Sequence, residues 1–258
     1  MTQSFPRTNF NSSKLIRFLA DLSVIDVAES KQAFAERLGQ WLDFSDAITL
    51  HAAHSLGTVQ AGVPVVAKGA IEKDLARTRT ALVNSITISC SPDTGETRIR
   101  FPAPKYGTAI EAIEANKLAT AYEPFRRFYA AHQNEMESGI RPLRAHVRKA
   151  LTKASATLAQ LAALDAALEK ILGARERQLL ATVPLLLEGR FGQLLAAHRE
   201  RRADNEQADD PALWMQPGGW LAGFRKELQD ALLAELDVRL QPTVGLIEAF
   251  SNEATRYK

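Results

Sequence analysis

The feature that most constrains this chain is an apolar seam between Gly139 and Arg202. Ile140, Val147, Ala154, Leu161 and Leu168 stand seven residues apart, and Leu143, Ala150, Thr157, Leu164 and Ile171 form a second row offset by three. These are a and d positions of a heptad pattern, the mark of helices packed along their length. Leu151, Leu158 and Leu172 add a third row. A stripe that wide suits a globular bundle face at least as well as a narrow two-stranded seam. The spacing predicts an all-α protein built on a long helical hairpin, or on a pair of nearly collinear helices, with the partner helix in the same chain or in another copy.

The 258 residues allow one large domain or two small ones. They divide into a polar arm (1–13), an N-terminal helical cluster and connector (14–107), a long-helix core (108–202), an acidic loop (203–213) and a C-terminal helical segment packing on the core (214–258). In the cluster, helical spacing predicts a helix from Lys14 to about Ser23, a second opened by Asp26 or Ser30 and carrying Phe34 to Leu42, and a third capped by Ser45. The Gly- and Pro-containing stretch 56–69 reads as a connector, and a helix follows from about Ala70 to Ser85. Ile86, Ile88 and Cys90 alternate, as do Ile99 and Phe101, with a turn-forming Ser91–Gly95 between them. That pattern fits a small β-hairpin near 86–101 or a helix end followed by an irregular loop. Thr108 can cap the next helix, Pro124 can kink it, and Ser138–Gly139 with Pro142 mark a break before the seam helix. That helix runs to about Leu172, with Gly173 ending it or tolerated, and Pro184 marks a second break. Gly218 and Gly219 make a turn into a last long helix, which Pro242 ends or kinks.

Charge is unevenly placed although the whole chain carries only +2. Residues 139–202 hold twelve Lys and Arg against five Asp and Glu, a local +7, while 204–210 carry −4. Arg141, Arg144 and Arg148 share a helical face, with Lys149 beside them, and Arg199, Arg201 and Arg202 form a second cluster. These seven are the candidate contacts for phosphates of nucleic acid or another anion. The competing reading is a solvated helix face paired with the chain's own acidic loop. Trp214, Trp220 and Phe224 are the candidate contacts for a protein partner.

No catalytic, cofactor-binding or metal-ligating set emerges. His51 and His54 are three apart but lack the i, i+4 spacing and internal glutamate of a zincin helix. His132 and Glu135 reverse the order used in di-iron bundles. Cys90, the single cysteine, has no local base and excludes an intramolecular disulfide. Residues 47–67 lack Asp, Glu, Lys and Arg, yet His51, His54, Gly57, Gln60, Gly62 and Pro64 interrupt them. A helix followed by a neutral loop explains that stretch better than a membrane span.

The run Pro217-Gly218-Gly219-Trp220-Leu221, with Leu232 to Asp237 and Leu240-Gln241-Pro242, resembles an uncharacterised helical protein family of proteobacteria. Ser30 to Asp46, with Phe34 to Leu38 and Trp41-Leu42, is similar to that family as well. The resemblance implies a soluble accessory protein beside envelope or motor-like proteins, and carries no catalytic residue over. Together these readings predict a non-enzymatic cytoplasmic scaffold or adaptor with a protein partner or a second copy, no cofactor and no direct membrane insertion. The alternative is a nucleic-acid-binding protein using 139–202.

Overall fold

A computed structural model describes residues 13–23, 34–55, 66–91, 97–102, 118–205, 210 and 213–256. Among them are eight α-helices and no strand: α1 (Lys14–Asp21), α2 (Phe34–Gly39), α3 (Phe44–His54), α4 (Val66–Ser89), α5 (Leu118–Thr152), α6 (Ala156–Leu180), α7 (Val183–Asn205) and α8 (Trp220–Arg256). The all-α expectation holds. Six sequence features lie partly or wholly outside the described residues: the polar arm, the opening of the second helix at Asp26 or Ser30, connector residues 56–65, the Ser91–Gly95 turn, the Thr108 cap, and most of the acidic loop.

α5 and α8, of 35 and 37 residues, are the two long rods. At 1.5 Å per residue each is ~50–55 Å long. They lie side by side and parallel: Phe224 meets Tyr122 and Phe125, Glu235 meets Tyr129 and Gln133, and Leu246 and Ile247 share a core with Leu143 and Val147. α6 and α7 run back along them in the opposite sense, as Arg144–Asp165, Gln133–Leu180 and Tyr122–Pro184 show. α4 closes the bundle, antiparallel to α5 and α8, through Ser89–His132, Ser85–Glu135 and Arg79–Asp237. Lys14 joins α1 to Asp237 of α8. α3 lies outside the bundle on α6, fixed by Arg175 stacked 4.5 Å over Trp41 at one end and Gln160 bonded to His54 at the other.

The seam is therefore the predicted helical hairpin, but its bend falls elsewhere. α5 passes through Ser138, Gly139 and Pro142 without ending. The chain turns at Thr152–Ser155, where Lys153 and Ala154 donate to the carbonyls of Ala150 and Leu151. Ser155 then caps α6, its hydroxyl accepting from the Leu158 N–H at 3.2 Å. A proline inside a helix removes one backbone bond, which burial on several sides can outweigh. Gly139 packs against α4, where a Cβ would sit 3.6 Å from Leu82 and 3.7 Å from Thr78 in ordinary van der Waals contact, so the packing does not require glycine there. The heptad rows thus belong to two antiparallel helices, with Leu143, Val147 and Leu151 from one and Leu158 from the other in a shared core.

Other boundaries move as well. Gly173 is tolerated inside α6, and the second break comes at Ala181–Thr182, with Pro184 in the first turn of α7 as expected. Pro242 does not end α8. α4 starts at Val66, inside the expected connector, and continues to Ser89, so Ile86 and Ile88 are helical and the β-hairpin reading gives way to its helical alternative. Asp43, not Ser45, caps α3, in a reciprocal capping box with Asp46. Ala203 to Asn205 are still α7 rather than loop. Before α8, Gly218 has φ +87° and a Cβ on Gly219 would overlap the carbonyls of Leu213 and Trp214. Both glycines are therefore required by the turn.

Candidate functional site

The arginines of α5 meet carboxylates of α6 at matched intervals. Arg144 and Arg148 are four residues apart, as are Asp165 and Glu169. Arg144 donates twice to Asp165, Nε at 2.9 Å and Nη2 at 2.6 Å, a bidentate fork. Arg148 Nη1 reaches Asp165 at 3.0 Å and Glu169 at 2.6 Å. The two guanidinium side chains are only 12% and 17% exposed. Burial opposes the charge on Arg144, but the Asp165 hydrogen bonds and the charges of Asp165 and Glu169 raise its pKa above the ordinary guanidinium value. Arg144 and Arg148 are thus paired by α6 itself, with Asp165 and Glu169 already counted in the local +7.

Beside this ladder a cleft of about 630 Å³ opens between α5 and α6 and reaches α8. Its walls carry six cationic side chains, Arg141, Arg144, Arg148, Lys170, Arg177 and Arg239, interleaved with Glu137, Glu169 and Glu176. Ala166, Gly173 and Ala174 supply its small surfaces. Arg239 is anchored by Glu235, to which its Nε donates at 2.7 Å. Glu235 is fully buried, and it also accepts from Tyr129 Oη at 2.9 Å and from Gln133 Nε2 at 3.0 and 3.1 Å. Gln133 in turn donates to the Leu180 carbonyl at 2.9 Å, closing the bend between α6 and α7. Desolvation, and then the Glu235 charge, push the Tyr129 phenol well above its ordinary pKa.

The structure sorts the sequence candidates. Arg141, Arg144 and Arg148 come together in the cleft, whereas Lys149 is exposed and lies off it. Arg199, Arg201 and Arg202 occupy the last turns of α7, where Arg201 Nε donates to the Ala197 carbonyl at 3.1 Å and the other two have interactions of their own. That end of the bundle is marked by His198 stacked 5.9 Å from Trp220. Trp220 and Arg239 are nineteen residues apart on α8, so the two basic clusters are separated by about 28 Å along the axis. Trp214, Trp220 and Phe224 are 5%, 6% and 0% exposed and pack against Phe191, His198 and Tyr122. They are core residues of this fold, and no partner reaches them while it is closed.

One constellation has only a partial sequence signal, the His132–Glu135 spacing. Ser89 at the end of α4 lies 2.8 Å from His132 Nε2, and His132 Nδ1 lies 3.5 Å from Glu135, whose Oε2 also accepts from Ser85 at 2.6 Å. The order is that of a nucleophile, base and orienter. However, Ser89 and His132 are each 1% exposed, none of the three lines the cleft, and Nδ1 makes no hydrogen bond. The Ser89 hydroxyl donates to the Ile86 carbonyl at 2.9 Å, and the imidazole tautomer sets which of Ser89 and His132 donates to the other. Burial lowers the His132 pKa, partly offset by Glu135, so the imidazole is neutral. The group ties α4 to α5. Cys90 beside it is buried, which pushes its thiol up to about 11 and leaves it inert.

Among the described residues no cluster of three or more His, Cys, Asp or Glu could hold a metal ion. His51 is exposed, and His54 meets Gln160 instead. The helical stretch Ala156–Ala203 contains an 18-residue window of mean hydropathy 1.3, long and apolar enough to cross a membrane by length and composition. A third of that window is buried, and Leu187, Phe191 and Leu195 of the stretch lie in the bundle core.

No curated protein and no solved structure matches the chain. A family model does match it over residues 1–252, nearly its whole length, and the chain accordingly belongs to the family described as a protein of unknown function, DUF3348.

Proposed function

We propose that this protein is a non-enzymatic helical scaffold or adaptor that acts through protein–protein contacts, with a protein partner or a second copy of itself. The observation that carries the reading is on α3. Phe44 and Ile48 stand one turn apart on that outlying helix, and they are 83% and 55% exposed. Leu179 and Leu185, at 54% and 52%, flank the α6–α7 bend. Leaving such side chains in water costs about 25 cal/mol per Å² of apolar surface, and clustered exposure of this kind marks interaction sites. Arg144, Arg148 and Arg190, by contrast, are spent on closing the bundle. The proposed setting is the bacterial cytoplasm, in an accessory role beside envelope or motor-like proteins of a proteobacterium. Light scattering and affinity capture test this reading. A mass above the 28.4 kDa chain, or a stable captured partner, is expected for the wild type and is lost in Phe44→Ser/Ile48→Ser. A strict monomer with no partner sensitive to those changes counts against it.

Nucleic-acid binding through the basic segment is the second reading, favoured by the exposure of Arg141, Lys149 and Lys153 on the last turns of α5 and the bend. It predicts affinity that falls steeply with salt and weakens in Arg141→Ala/Arg144→Ala/Arg148→Ala. No binding at low salt eliminates it. The Asp165 and Glu169 pairs already occupy two of those three arginines.

A further inference from the structure

The acidic series of α6 skips the turn opposite Arg141 and resumes at Glu176. Arg148 and Arg144 meet Asp165 and Glu169, and Glu137 meets Arg177 at 3.8 Å. That antiparallel register brings Arg141 opposite residues 169–173, and the position one turn beyond Glu169 is Gly173. A carboxylate there would complete the series, and glycine supplies none. Neither Arg141 nor Lys170, both exposed and both lining the cleft, has a carboxylate partner among the described residues. Two like charges facing a gap repel unless an anion lies between them. The gap is built rather than collapsed: a Cβ on Gly173 would meet only Arg177 Nη1, at 3.5 Å.

We propose that the α5–α6–α8 cleft is a binding site for a small, non-aromatic oxyanion of two or more charges, seated between Arg141 and Lys170 over Gly173. The volume of about 630 Å³ falls in the small-molecule range. No aromatic side chain lines the cleft, so a stacked base has no platform. Glu137 and Glu176 on the same walls repel a uniformly anionic chain and favour a ligand with its charge concentrated in one place.

Phosphate and carboxylate share this chemistry, and titration calorimetry of the full chain at low salt separates them, with pyrophosphate and citrate as the two probes. Saturable binding of one molecule per chain is expected for at least one probe, and the better probe names the oxyanion. Arg141→Gln/Lys170→Gln should weaken it at least tenfold, whereas Lys149→Gln/Lys153→Gln, exposed lysines off the cleft, should leave it unchanged. Gly173→Glu should abolish binding and raise the melting temperature without ligand, because it supplies the missing carboxylate in the chain. Circular dichroism verifies that each variant folds, and the two exposed-residue variants keep the test valid if Gly173→Glu does not. Failure of both probes to saturate overturns the proposal. Equal weakening by the Lys149/Lys153 variant, or undiminished binding in Arg141→Gln/Lys170→Gln, does so too.

Discussion

Glu235 offers the sharpest quantitative test of how the long helices are joined. Its carboxylate is fully buried and accepts from Arg239 at 2.7 Å, Tyr129 at 2.9 Å and Gln133 at 3.0 Å. Glu235→Ala strands a guanidinium whose side chain is only 10% exposed, together with the Tyr129 hydroxyl, which has no access to water. Breaking a buried pair by removing one partner costs about 3–5 kcal/mol. Arg239 borders the cleft, and water entering there can solvate part of the freed charge, so the expected loss is near ~3 kcal/mol. Glu235→Gln keeps the volume and one acceptor but not the charge, and should cost about 1.5–3 kcal/mol. Glu235→Leu/Arg239→Met removes both charges and should recover most of the loss. Urea unfolding followed by far-ultraviolet circular dichroism gives these differences at constant m. A loss below ~1 kcal/mol for Glu235→Ala, or a double variant no better than the single one, would refute the reasoning.

Three further outcomes follow from local geometry. Gly219→Ala forces a Cβ against the Leu213 and Trp214 carbonyls and should destabilise by about 1–3 kcal/mol, read as a lower urea midpoint. Ser155→Ala removes the α6 cap and the hydrogen bond to Glu253 at 2.7 Å, and should cost ~1 kcal/mol in the same assay. His132 has a folded pKa below its ordinary 6.5, so the unfolded chain binds the proton more readily. Stability contributed by the neutral imidazole is therefore present above about pH 6.5 and lost as pH falls below it, by at most ~1.4 kcal/mol per unit. His132→Gln should flatten the wild-type decline measured between about pH 7.5 and 5, and an unchanged decline contradicts the assignment.

The helical class and the hairpin were legible because periodicity reports burial, and Leu143, Val147, Leu151 and Leu158 are buried as the rows imply. The position of the bend was not. Gly139 and Pro142 look like breakers in isolation, but contact with α4 and burial around α5 outweigh their local cost. Ser155, a modest cap by itself, gains a partner from distant sequence in Glu253 besides the local Leu158 N–H. The pairing of Arg144 and Arg148 with Asp165 and Glu169 becomes readable only once the bend at 152–155 is known, since the two i, i+4 sets then face each other. Trp214, Trp220 and Phe224 looked like surface anchors next to a turn, yet α7 covers them with Phe191 and His198. Ser89 and His132 are 43 residues apart, and only the His132–Glu135 half of that group has a sequence trace.

The central functional claim is that the exposed face of α3 is a protein-contact surface while the arginines of α5 serve the fold and the cleft. Site-specific photocrosslinking in living cells tests it most directly, with a photoreactive phenylalanine analogue at position 44, at 48 and, as a control, at the exposed Lys153. A discrete higher-mass adduct is expected from positions 44 and 48 and none from 153. The absence of any adduct from 44 and 48, or the same adduct from 153, would contradict it.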